Sequence, residues 1–179
     1  MGGDLLSAAA IMGRVCLGLV FLTASAHKLR HAAVFPAILA NYRILPRGLA
    51  APVARILPWG ELALGLALLT QAAQPWAELA ALLLLGAFAG AMAVNLRRGR
   101  AHIDCGCGQS ALRQTLGWPL VGRNLGLALL AVPGLLATPR LSAAAPDTVV
   151  GVAAGAGVFV LYLLFNTLSA LPALNRPVS

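Results

Sequence analysis

What most constrains this chain is a series of unbroken apolar blocks, each close to the length that a lipid bilayer demands. Five can be drawn, over residues 5–26, 57–71, 76–96, 118–137 and 148–170. A helix that crosses the hydrocarbon core needs about 20 residues. In lipid every backbone N–H and C=O must be satisfied inside the protein, which leaves helices or a closed barrel. The blocks are rich in Ala, Leu and Gly and do not alternate, so helices are expected. Composition agrees, with 60% apolar and 10% charged residues and a mean hydropathy of +0.86. A soluble domain carries roughly 45–50% apolar and about 25% charged residues. The expected architecture is an all-α, polytopic membrane bundle of four to five transmembrane helices, one domain over residues 1–179 embedded in lipid.

The first block is too long for a cleaved signal, and nothing basic precedes it. The stretch 33–46 mixes aliphatic residues with Tyr42 and Arg43 and suggests an interfacial helix after the first span. Trp59, Trp76 and Trp118 are expected at span ends, where an amphipathic ring suits the headgroup region. Gly86 with Gly90, and Gly151 with Gly155, are expected to let helices approach closely.

A net charge of +8 would also suit a nucleic-acid binder. The basic residues, however, cluster in loops beside apolar spans and carry no interleaved aromatics, so nucleic acid is not an expected partner. With five spans, one side holds Lys28, Arg30, Arg43, Arg47, Arg55, Arg97, Arg98, Arg100, Arg113 and Arg176. The other holds Arg140 against Asp4, Glu78 and Asp147. By the positive-inside rule the basic side is cytoplasmic and the N-terminus lies outside.

The stretch most suggestive of chemistry is Arg98-Gly-Arg-Ala-His-Ile-Asp-Cys-Gly-Cys107-Gly. Two cysteines separated by one glycine lie in a membrane-proximal loop with basic residues just upstream. Nearby cations lower a thiol's pKa and raise the fraction of nucleophilic thiolate, against which Asp104 works locally. Glycine lets the chain turn tightly enough for a bridge, and a strained, exposed bridge is the exchange-competent kind. Cys105 and Cys107 are therefore read as a redox pair, with inert loop cysteines as the plainer alternative. His102 would add only a third metal ligand where a closed site wants four, so no metal is expected. Cys16, inside the first span, reads as a small buried apolar residue.

Charged groups inside spans are costly and point to function. Glu61 and Arg123 lie at similar depth on the Cys-Gly-Cys side and are candidates to pair, and His27 and Lys28 reach the same level. Arg14, on the opposite half, either meets Glu78 or extends outward.

Taken in order, Arg14…Gly18-Leu-Val-Phe-Leu…His-Lys28-Leu, Tyr42-Arg-Ile-Leu-Pro46, Leu57-Pro-Trp-Gly-Glu61-Leu-Ala-Leu-Gly65, Asn95-Leu-Arg-Arg-Gly-Arg100, Asp104-Cys-Gly-Cys107-Gly and Arg123-Asn124-Leu resemble the methylamine-utilisation protein MauE family. That family belongs to the wider DoxX-like group of membrane proteins. The likeness runs over residues 8–137. It implies a bacterial inner-membrane accessory protein concerned with maturation, processing or transport of the disulfide-rich small (β) subunit of methylamine dehydrogenase. It further implies a disulfide-rich periplasmic partner and a thioredoxin-like redox partner. Carried over by the resemblance are Cys105 and Cys107 as the reacting pair, with Lys28, Tyr42, Glu61, Arg100, Asp104 and Arg123 in support. One departure is plain: such sequences commonly continue Cys-Gly-Cys-Phe-Gly, whereas Gly108-Gln109 follow here.

Disulfide formation belongs outside the cytoplasm, while the charge bias puts this loop inside. The side it faces stays open. No nucleotide loop or haem motif is present, and no cofactor is expected. A rival reading from another class is a small transporter or quinone-interacting membrane subunit, with Glu61, Arg123 and Lys28 lining a polar cavity. A third is a purely structural subunit.

Overall fold

The structure, a computed structural model, describes residues 2–46, 48–71, 73–106, 114–137 and 145–174. These form seven helices: α1 (Gly2–Arg30), α2 (Phe35–Asn41), α3 (Ala50–Leu69), α4 (Trp76–Arg97), α5 (Trp118–Leu129), α6 (Val132–Leu136) and α7 (Ala145–Leu174). Five segments are long and apolar enough to cross a membrane, with α5 and α6 together making the fourth. The chain is a polytopic helical membrane protein, and α2 is the short helix expected after the first span.

Helix α1 is the hub, packing along both α3 and α7, while α4 packs on α5. Small residues set these distances. A Cβ on Gly65 would lie 3.0 Å from the Gly18 carbonyl oxygen, and one on Gly18 would lie 3.2 Å from the Gly65 carbonyl. At Gly151 and Gly155 a Cβ would come within 2.8 Å of Ile11 Cβ and 2.7 Å of the Met12 carbonyl, so this pair seats α7 on α1 as expected. Gly86 and Gly90 differ, since among the described residues nothing lies within 4 Å of a Cβ at either. Leu83, Val149 and Leu161 are among the exposed apolar side chains that lipid would cover.

Two elements depart from the sequence reading for identifiable reasons. The second span begins at Ala50, not at residue 57. Pro52 falls in its first turn, where the backbone N–H has no helical partner to lose. The helix then runs through Pro58, which cannot donate to the preceding turn. Ser25 Oγ of α1 donates to the Pro58 carbonyl at 2.7 Å, tying the two helices there. Trp59 consequently sits inside α3, whereas Trp76 and Trp118 open α4 and α5. The fourth span is broken between α5 and α6. Pro133 supplies no N–H, and the turn before it tightens, with Leu130 and Ala131 donating to Leu127 and Ala128 three residues back.

The core has two parts. One, around Cys16, Leu17, Phe21, Leu68, Leu85 and Tyr162, lies between α1, α3, α4 and α7. The other gathers Tyr42, Met92, Ile103, Cys105, Leu116 and Leu120, so Ile103, Cys105 and Leu116, from the connection after α4, are buried in the protein rather than left in solvent.

Candidate functional site

The motif Asn95–Arg100 is a helix stop. Arg98 caps α4 and Gly99 follows with φ +73. Gly99 N–H donates to the Leu96 carbonyl at 3.0 Å and Arg100 N–H to the Asn95 carbonyl at 3.0 Å. This pair of bonds closes a helix when glycine supplies the left-handed residue. The chain is thereby turned back across the bundle end toward Cys105.

A short antiparallel pairing then fixes the cysteine. Asp104 sits opposite Thr115, flanked by Cys105 N–H to the Gln114 carbonyl at 2.8 Å and Leu116 N–H to the Ile103 carbonyl at 3.0 Å. From the other side, Tyr42 at the end of α2 donates its hydroxyl to the Cys105 carbonyl at 2.8 Å. Asp104 Oδ1 accepts from Gly106 N–H at 3.3 Å. Gly106 has φ +67, and a Cβ there would lie 2.9 Å from Ile38 Cγ2. Both the backbone and the space demand glycine between the cysteines. Cys105 is 4% exposed, with its Sγ 3.7 Å from Met92 Sδ. Cys107, the other member of the expected pair, lies outside the described residues.

Cys105 lines a cavity of about 60 Å³ whose walls include Phe35, Tyr42, Phe88, Met92 and Lys28. Lys28, in the last turn of α1, donates to Glu61 Oε1 at 2.7 Å and Oε2 at 2.8 Å. Its Nζ stands 5.6 Å from the Phe35 ring centre and 5.5 Å from that of Phe88, within range of cation–π attraction. Lys28 and Glu61 are 4% and 0% exposed. Such a pair is tolerated only when complete, because either charge alone would be stranded in a low dielectric.

The sequence offered Arg123 as a partner for Glu61. In the structure Glu61 bonds Lys28 through both oxygens, and Arg123 turns to α7, donating to Asn166 Oδ1 with its guanidinium 5.4 Å from the Tyr162 ring centre. Lys28, Glu61 and Arg123 nonetheless line one small cavity of about 20 Å³. Farther along the bundle, Arg14 Nε meets Glu78 Oε1 at 2.7 Å, one of the two arrangements open to it from sequence. Arg100 lies apart from the ion pairs, on a groove with Arg43, His102 and Asp104. Among the described residues no group of three or more His, Cys, Asp or Glu could hold a metal.

Several contributors were not legible in sequence. Ser25, Met92, Gln114 and Asn166 are buried, but an isolated small polar residue or a methionine carries no signal of its own. Phe88 likewise reads as one more lipid-length hydrophobe.

Comparison with known proteins agrees with this layout. A sequence profile described as "Methylamine utilisation protein MauE" matches residues 6–137, ending at the fourth span. The chain is 40% identical over 161 residues to the methylamine utilization protein MauE of Paracoccus denitrificans, covering 89% of this chain and 87% of that one. It is 41% identical over 159 residues to the protein of the same name from Methylorubrum extorquens, covering 88% and 86%. With the Methylophilus methylotrophus protein identity is 37% over 126 residues, covering 70% and 64%. No solved structure matches the chain significantly. This chain with five membrane-length helical spans, matched by the profile over its first four spans and by relatives over most of its length, belongs to the MauE family.

Proposed function

We propose that this protein serves methylamine utilisation as an accessory factor of the bacterial inner membrane, maturing a disulfide-rich partner such as the small (β) subunit of methylamine dehydrogenase. The chemistry is thiol–disulfide exchange at Cys105 and Cys107. One thiolate attacks a disulfide sulfur of the partner and the other partner sulfur leaves as a thiolate. The second cysteine then attacks the mixed disulfide, releasing the partner as a dithiol and leaving Cys105–Cys107 oxidised. The reverse sequence oxidises the partner. A thioredoxin-like protein returns the pair to its starting state.

The observation that carries this reading is that Cys105, held by its backbone, lines one cavity together with Lys28. The neighbours of the cysteine on this side are fixed by polar bonds from the Lys28 ammonium and the Tyr42 hydroxyl. Glu61 holds that ammonium in place, and Tyr42 holds the cysteine's backbone. The test is replacement of Cys105, Cys107 or both by Ser in cells grown on a second carbon and nitrogen source with methylamine present. Each variant is expected to reach the membrane and fail to yield mature methylamine dehydrogenase; normal maturation in the double variant overturns the proposal.

The transporter or quinone reading draws on the shared cavity of Lys28, Glu61 and Arg123. At about 20 Å³ that cavity has room for roughly one water molecule, not for a quinone ring or a solute. Size favours the thiol reading.

A further inference from the structure

The face of the Cys105 segment that turns away from the core carries an unused edge. Where two antiparallel residues face each other between flanking ladder bonds, as Asp104 and Thr115 do, their own N–H and C=O groups point outward. Among the described residues, the backbone N–H and C=O of Asp104 have no hydrogen-bond partner. An outward donor and acceptor on an extended residue form a template for another strand.

Asp104 also lines a groove of about 450 Å³ between α2 and the segment after α4, within the range of about 300–1,000 Å³ that ligand sites occupy. Its α2 wall is mostly apolar, including Ile38, and its rim carries Arg43, Arg100 and His102. Arg43 is held there by the backbone. It closes α2 with φ +48, and its carbonyl accepts from Arg98 Nη1 at 3.4 Å. Ile38 lines both the groove and the cavity containing Cys105, so an occupant of the groove would lie against a wall that the two share.

We propose that this groove binds an extended, acidic segment of the partner polypeptide, which pairs main chain to main chain at Asp104 and sets its acidic side chains against Arg43 and Arg100. The proposal rests on the thiol-exchange reading for its biological purpose. Chemistry favours a peptide over an anionic lipid headgroup. A strand supplies both the acceptor and the donor that Asp104 lacks, while a phosphodiester supplies acceptors alone and would meet the Asp104 carboxylate. Docked in this way, a partner segment lies beside Ile38, against the wall shared with the cavity of Cys105.

The test uses the full-length protein in nanodiscs of phosphatidylcholine. The probe is a fluorescent peptide of about ten residues alternating Asp and Val around a central Ser, a length that spans a strand. Binding is expected to weaken at least about tenfold, or about 1.4 kcal/mol, in the Arg43→Asn/Arg100→Ser variant. It should survive in the Arg43→Lys/Arg100→Lys variant, which shows that the fold is kept. Pro on either side of the central Ser removes strand donors and should abolish binding, as should exchanging Asp for Lys. Equal binding by the Pro peptide, or by the Asn/Ser variant, overturns the proposal. So does loss of wild-type binding when a few per cent phosphatidylglycerol occupies the groove instead. Because the probe contains no cysteine, these outcomes are independent of whether Cys105 and Cys107 exchange disulfides; the Cys105→Ser protein should bind the peptide as the wild type does.

Discussion

Lys28 and Glu61, in the last turn of α1 and midway along α3, form a two-point ion pair at 2.7 and 2.8 Å that is almost wholly removed from solvent. The pair joins the two helices, and Lys28 also lines the cavity of Cys105. Replacing only one member strands a charge, at a cost of about 3–5 kcal/mol. Lys28→Met and Glu61→Leu are therefore each expected to lower the thermal midpoint of the purified protein sharply. The double replacement should recover much of the loss. A double variant as unstable as the sum of the singles would contradict the pairing.

The Tyr42 hydroxyl holds the Cys105 carbonyl across a sequence separation that no local structure bridges. Tyr42→Phe removes that one bond, worth about 0.5–1.5 kcal/mol, and leaves the ring packed. The expected effect is faster alkylation of Cys105 by a small maleimide, followed by mass spectrometry, with little change in overall stability. An unchanged rate would mean that the bond does not restrain the loop.

How much of this was legible in sequence follows from what each residue type signals. Lipid-length apolar runs announced the spans, and α2 showed itself by its mixture of aliphatic and polar residues. Charges gave depth but not direction around a helix axis. Arg14 and Glu78 could thus be matched by level, whereas Glu61 had two cations at its level and the structure was needed to choose Lys28 over Arg123. The early start of α3 was hidden by Pro52, Arg55 and Pro58, which read as a loop to any hydropathy count. The break before α6 follows from Pro133, inside an apolar run that reads as one span, whereas the Ser25 bond to Pro58 depends on tertiary placement. The motif Asn95–Arg100 was visible as a pattern, but only the backbone bonds reveal it as a helix stop.

Gly106 carries two separate constraints, a left-handed backbone and contact with Ile38. Gly106→Ala should destabilise the segment by about 1–2 kcal/mol from the backbone alone, with the clash added. Adding Ile38→Ala should return only the steric part. Hydrogen exchange over residues 100–106 measures both; full recovery in the double variant would show that the backbone conformation costs nothing.

Ser25→Ala removes the donor to the Pro58 carbonyl inside the bundle. The expected loss is about 1 kcal/mol, read from thermal unfolding in detergent, while Ser25→Thr, which keeps a hydroxyl, should lose less. Equal losses would locate the cost in packing between α1 and α3 rather than in the hydrogen bond.

The central claim, exchange through Cys105 and Cys107, is tested most directly by trapping the mixed disulfide. Cells growing on a second carbon and nitrogen source with methylamine present, and carrying Cys105→Ser, Cys107→Ser or both, each in a Cys16→Ser background, would be acid-quenched and alkylated. Non-reducing gels and mass spectrometry would then identify any adduct. Exchange predicts a reduction-sensitive adduct with a cysteine-rich partner in at least one single variant and none in the double variant. Absence of an adduct from both single variants, with both thiols of the protein retaining Cys105 and Cys107 fully alkylated before reduction, would contradict the account.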